Sequence, residues 1–223
     1  LVQLANMAHS VVGPEEARAI LEYVRRFDPV NRGATEGLAN LAMGREDWAE
    51  ARRLLSGILS RAHPDLFLRM AEVEGALGNQ ARATEMTTRF LGSATAPGSE
   101  ALFGNVLALH YAERGDQTAL DSALAIGLRE VGRRPTTESY DLLGWIHYRR
   151  GEYQPALEAS DAALRIGLSP TAGYHRARIL EAVGRAAESA ILDREASSRP
   201  TLLAPHARRD LRIRTAGRVR PSA

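Results

Sequence analysis

The stretch Thr137–Pro170, TESYDLLGWIHYRRGEYQPALEASDAALRIGLSP, decides how this chain is built. Its 34 residues carry two apolar patterns at helical spacing. The first holds Tyr140, Leu143, Gly144 and His147; the second holds Tyr153, Ala156 and Ala163, and Gly151 stands between them. Residues three and four apart share one face of an α-helix, so each half has a stripe that must be covered. The two halves predict a helical hairpin. Small residues in both stripes, Gly144 and Ala156, let the two axes approach closely where a bulky side chain would hold them apart.

The same spacing recurs along the chain. From Gly144 it is twelve residues to Ala156 and seven more to Ala163. That ruler also fits Ala5, Ala17 and Val24; Ala39, Ala51 and Ile58; Ala71, Ala83 and Phe90; Ala108, Leu120 and Gly127; and Ala177, Ser189 and Ala196. Successive starting points lie 34, 32, 37, 36 and 33 residues apart. Gly78, Gly115, Gly151 and Gly184 each follow the first small residue by seven. Leu38, Met70, Leu107 and Leu143 directly precede it, as does Leu4, whereas Arg176 breaks that pattern. Three residues beyond it Ala8, Ala42, Tyr111, His147 and Leu180 close the face, with Glu74 as the exception. Repeated units that cannot bury their own stripe predict a stack in which neighbours cover one another.

Thr137–Pro170 resembles the tetratricopeptide repeat (TPR), whose pattern runs W-x2-L-G-x2-Y, then A-x3-F, then P. Leu143, Gly144, Ala156 and Pro170 stand as in that pattern, while Tyr140 replaces the Trp, His147 the Tyr and Ser160 the Phe. The resemblance implies an all-α fold: a right-handed superhelical solenoid of about six TPR-like helical hairpins plus a C-terminal capping helix. The repeats fall at 1–31, 32–63, 64–100, 101–136, 137–170 and 171–200, closed by Pro29, Pro64, Pro135, Pro170 and Pro200. The segment Gly92–Glu100, GSATAPGSE, is the longest break and the expected hinge within a single solenoid over 1–214. Residues 201–214, with Leu202, Leu203, Ala207 and Leu211 among arginines, read as the cap that keeps the last repeat from exposing its apolar face. Residues 215–223, TAGRVRPSA, read as a basic disordered tail. Leu1 falls inside a first helix and is not a Met, so a segment upstream is expected.

Composition narrows the function classes. Hydrophobic residues make 44% of the chain but aromatics only 5%, which suits closely packed helices better than sheets. No run of eighteen apolar residues exists, so no membrane span is expected. Absence of cysteine excludes disulfides, thiolate nucleophiles and Cys-ligated metals. All 29 basic residues are arginine, which excludes a P-loop lysine, a Schiff-base lysine and a kinase-type lysine. Richness in Arg and Ala without Lys matches coding in a high-GC bacterial genome, and lack of Cys fits its cytoplasm or periplasm. Charge is uneven: residues 199–223 hold seven arginines against Asp210 alone, a net +6, which leaves −4 on residues 1–198.

Catalytic chemistry finds no support. His9, His63, His110, His147, His175 and His206 show no HExxH or other ligand spacing, and His147 reads as a packed structural residue. No G-x-S-x-G elbow, glycine-rich phosphate loop or EF-hand loop is present, so no catalytic residue, metal or cofactor is expected. The chain reads as a non-enzyme.

Binding is the better question. In the TPR family, successive first helices line a concave groove whose exposed residues contact a partner protein or an extended peptide. Carried over, Asp141, Trp145 and Tyr148 share one helical face, and Asn6, Glu36, Asn40, Glu72, Asn105, Tyr174 and Arg178 stand at matching positions. This groove leans acidic and amide-rich, which suits clamping of a peptide backbone. A basic clamp of the chaperone-binding kind is not expected, because lysine is absent and no arginines cluster there. Trp145 fits two roles: an anchor for a partner side chain, or packing against the neighbouring repeat. Trp48 aligns with Tyr153 and reads as core. Arg208, Arg209, Arg212 and Arg214 fit contact with nucleic acid phosphates or an anionic surface, without the interleaved aromatics of single-strand binders; a solvated capping face is the other reading. A structural subunit docked through its convex face or ends is the alternative to a peptide scaffold.

Overall fold

The computed structural model describes residues 13–60, 63–167, 169–199 and 202–218. Among these the chain forms twelve α-helices and no strand. In order they are α1 (Pro14–Phe27), α2 (Arg32–Gly44), α3 (Trp48–Ser56), α4 (Asp65–Ala76), α5 (Gln80–Ala94), α6 (Glu100–Arg114), α7 (Gln117–Arg133), α8 (Thr137–Arg149), α9 (Tyr153–Ile166), α10 (Pro170–Ala182), α11 (Ala186–Ser198) and α12 (Pro205–Arg218). The first helix expected for the opening repeat, with Asn6, lies outside the described residues. No described helix is long and apolar enough to cross a membrane.

Helix starts follow local chemistry. Side chains of Asn31, Asp47, Asp116 and Ser169 accept hydrogen bonds from the backbone N–H three residues on, at the heads of α2, α3, α7 and α10. Thr136 and Ser139 form a reciprocal capping box at α8. Between paired helices, Gly78, Gly115, Gly151 and Gly184 all take positive φ, near +74° to +83°. The same position in the second repeat is Glu46, at φ +60°, where an L side chain is strained. No atom lies within 4 Å of a Cβ built on Gly151. Gly151→Ala is therefore expected to lower stability by about 1 kcal/mol through backbone strain alone, read as a shifted urea midpoint with unchanged slope.

The chain divides into two compact units, Leu1–Ala101 and Leu102–Ala223, and the division falls just past the GSATAPGSE segment. In the first unit each of α1 to α4 packs on the next helix, around Leu21, Ala39, Leu55, Met70 and Phe90. In the second, the run α7 to α11 packs in sequence, while α10 also touches α8 and α12. Such nearest-neighbour packing is what a repeat array requires.

Small residues sit where the helices cross. Ala39, Ala51, Ala108, Ala156 and Ala177 are fully buried, while Ala71 and Ala83 are half-buried. A Cβ on Gly144 would stand 3.2 Å from the Ala156 carbonyl oxygen and 3.3 Å from the Ser160 nitrogen, so α8 meets the backbone of α9 directly. A Cβ on Gly104 would lie 2.7 Å from Oε1 of the buried Glu130, which Arg133 and Arg134 neutralise at 2.8 and 3.0 Å. The two breaks in the apolar pattern are also accommodated. Glu74 is buried and accepts from Asn79 Nδ2 at 2.8 Å, and Arg176 donates to Ser160 and Asp161.

Three expectations need correction. Helix α3 ends at Ser56, so Ile58 lies in the turn beyond it; Gly57 follows at the C-cap, where helix continuation is poorest. The terminal helix spans Pro205–Arg218 rather than 201–214. Proline is tolerated only in a helix's first turn, which delays the start, and extending a formed helix through Ala- and Arg-containing sequence costs little, which moves the end. The expected disorder thus fails over 215–218, and 219–223 lie outside the described residues.

Candidate functional site

Helices α6, α8, α10 and α12 of the second unit converge on Trp145. The i, i+4, i+7 spacing of Asp141, Trp145 and Tyr148 turns all three to one side of α8, but Trp145 is not an exposed anchor: it is 5% accessible. Its Nε1 donates to Glu113 Oε1 at 2.9 Å, and Arg149 Nη1 donates to the same oxygen at 2.9 Å. One carboxylate on α6 thereby fixes two α8 side chains. The indole stacks on Tyr148, centroids 4.9 Å apart, and on His175 of α10 at 4.2 Å. His206 of α12 lies 5.6 Å from it. Packing against neighbouring helices is the role Trp145 takes.

Helix α10 supplies the next layer. The buried Tyr174 donates its hydroxyl proton to Asp210 of α12, and burial first, then this bond, push its pKa well above the ordinary tyrosine value. His175 Nδ1 meets both oxygens of Asp141 at 2.9 and 3.0 Å. Arg178, 2% accessible, donates to Asp193 of α11 and, at 2.7 Å, to Glu181, while its guanidinium lies 5.5 Å from the Tyr174 ring. Its Nε is buried without a hydrogen-bond partner.

These helices line a half-open cavity of about 350 Å³. Trp145, Tyr148 and Tyr174 supply aromatic wall, Ile213 supplies an apolar side chain from α12, and Arg149, Arg178, Arg209 and Arg214 stand against Glu113 and Asp210. The lining is thus arginine-rich, contrary to the expected acidic and amide-rich groove without an arginine cluster, because α12 folds Arg209 and Arg214 beside residues of α8 and α10. Arg149 is braced by Glu113, and Arg214 by Glu181 at 2.6 Å. Burial raises the pKa of the Tyr148 hydroxyl, so it presents a neutral donor at physiological pH.

Other expected site residues lie elsewhere. In the first unit Glu36 and Asn40 meet Arg69, at 3.0 and 2.6 Å, which stitches α2 to α4. Glu72 and Asn105 are half-buried, and Asn105 Oδ1 is enclosed without a hydrogen-bond partner. Arg208 donates to the Leu203 carbonyl, whereas Arg209 and Arg212 are exposed. His147 is half-buried with Nδ1 2.6 Å from Glu152 Oε2. Trp48 is half-buried at the start of α3, and its counterpart Tyr153 is exposed, so neither is a core residue. Sequence spacing missed Glu113, His175, His206, Asp193 and Asp210. Only His175, adjacent to the groove position Tyr174, carried any local signal.

No family model matches the sequence, and no curated protein matches it. Among solved structures the chain is similar to MamA of AMB-1, at 18% identity over 74% of this chain and 97% of that one, with a TM-score of 0.42. It is also similar to the TPR2AB domain of yeast Sti1 in its complex with pHSP90, at 13% identity over 87% of each chain, with a TM-score of 0.36. The chain's own helices make it a TPR-like helical-repeat protein: paired helices recur every 32 to 37 residues, with small residues at the crossings and glycine in the turns.

Proposed function

We propose that the chain is a non-enzymatic protein-interaction scaffold whose second unit takes an extended segment of a partner protein into the cavity beside Trp145. The observation that carries this reading is the cavity wall itself. Tyr148 and the 70% accessible Ile213 present apolar surface next to Arg209 and Arg214, so an apolar anchor side chain can enter while carbonyl or carboxylate oxygens meet guanidinium groups. A volume of about 350 Å³ suits one such anchor with its flanking backbone, and lies at the small end of the ~300–1,000 Å³ typical of ligand pockets. Trp145 and Tyr174 are held by internal hydrogen bonds, so the wall is formed before the partner arrives and little ordering accompanies binding. Asp141, offered from sequence as a contact, instead orients His175.

The test is selection of peptides on the full chain from a random library, followed by titration of the selected peptides. Ile213→Asp is expected to weaken them by at least about tenfold, on the order of 1–2 kcal/mol, with helicity and melting unchanged, while Arg53→Ala in the first unit has no effect. Equal affinity for the Ile213→Asp chain would overturn the reading. Arg208 donates to the Leu203 carbonyl and Arg214 pairs with Glu181, so the peptide reading rests on the cavity wall and not on the arginine-rich end as a whole.

A further inference from the structure

We infer that the contact between His175 and His206 is a proton-operated latch, which holds α12 and its wall of the cavity against α10 and lets them go when both rings become protonated. The two Nε2 atoms lie 2.7 Å apart in a buried setting, with ring planes 22° from parallel and centroids 5.0 Å apart. Asp141 accepts at His175 Nδ1, so that nitrogen carries a proton. Between the two Nε2 atoms one proton fits, donated by either ring to the lone pair of the other. Two do not fit. A second proton would set N–H against N–H at hydrogen-bond distance and place two cations in one stack, with Asp141 as counter-charge to His175 only.

The surroundings act in the same sense. His206 stands against Trp145 of α8 and His175 of α10, and the charges of Arg149 on α8 and of Arg208 and Arg209 on its own helix act on it; Asp141 is engaged by His175, Asp210 by Tyr174, and Glu113 of α6 by Trp145 and Arg149. Burial first, then the charges of His175, Arg209, Arg149 and Arg208, depress the His206 pKa to about 2, from an ordinary value of about 6.5. Released into water, the same ring binds a proton near pH 6.5. The released state therefore takes up one more proton than the docked state between those limits, and release becomes about tenfold more favourable per pH unit of acidification. Ala207, Leu211, the Tyr174–Asp210 bond and the Arg214–Glu181 pair oppose release and set the pH at which it becomes dominant. On release the cavity loses Arg209, Asp210, Ile213 and Arg214 together. This last consequence, for partner access, rests on the binding role proposed above; the helix release does not.

Hydrogen exchange on the full chain between pH 7.5 and 4.5, corrected for intrinsic exchange rates, tests the latch without any partner. Protection of amides in 205–218 is expected to fall about tenfold per pH unit below roughly pH 6.5, while α9 and α11 keep theirs. His206→Phe, which keeps an aromatic ring and removes the proton, should flatten the profile, and His206→Asn should do the same if the larger ring packs poorly. Protection of α12 that is independent of pH, or a fall that persists in both variants, would overturn the latch. Loss across all helices at once would overturn it too, because acid would then unfold the whole unit. Binding of selected peptides, measured separately across the same pH range, reports on the partner site alone.

Discussion

Trp145→Ala is expected to destabilise the second unit by about 3–5 kcal/mol, the range for removing a buried tryptophan, and not merely to blunt partner binding. The indole is 5% accessible, sandwiched between Tyr148 and His175, and bonded through Nε1 to Glu113. Its removal opens a void at the junction of α6, α8, α10 and α12 and leaves Glu113 with Arg149 as its remaining side-chain partner there. With a urea slope of about 2 kcal/mol/M for a domain of this size, the midpoint should drop by roughly 2 M. Trp145→Phe keeps one stacking ring but loses the hydrogen bond and part of the indole's volume, so an intermediate loss of about 2 kcal/mol is expected from it. A shift below about 1 kcal/mol for the alanine variant, within the range of surface substitutions, would return Trp145 to the role of an exposed anchor.

That outcome marks where local pattern stops being informative. The hairpins were legible because helical periodicity, capping residues and turn glycines act within a few residues of one another. Gly144 and Ala156 announce a close crossing, and the Cβ geometry at Gly144 agrees. Glu46 breaks the glycine series in the second repeat, and it adopts the same left-handed turn at some strain. Trp145 stands one step off the apolar stripe of its own hairpin, so its repeat covers it only in part, through Tyr148. What covers it is Glu113, 32 residues earlier, and an aromatic stack completed by α12. The terminal arginines carried a strong charge signal but no address. Their position beside Arg149 and Arg178 follows from Ala207 and Leu211 burying against the last repeat, a packing choice no arginine makes.

Arg178 carries the same point into energetics, because the lone basic residue expected in the groove is fully buried. Asp193→Ala is expected to cost about 3–5 kcal/mol, since it removes the buried carboxylate paired with a guanidinium that is itself only 2% accessible. Glu181 still accepts one bond at 2.7 Å, but it is itself partly exposed and shared with Arg214, so it cannot replace a buried carboxylate. The Arg178 Nε already lacks a partner, an omission worth about 1–3 kcal/mol on its own. An isosteric apolar pair would avoid both terms. The double variant Arg178→Met with Asp193→Leu should therefore regain most of the stability that Asp193→Ala loses, and urea unfolding of the two variants side by side measures this directly. A double variant as unstable as the single one would show that packing around this pair, rather than its charge, supports α10. A stable double variant that binds selected peptides more weakly would show instead that Arg178 is kept for the cavity: its guanidinium braces the Tyr174 ring, and Tyr174 holds Asp210 and so the α12 wall.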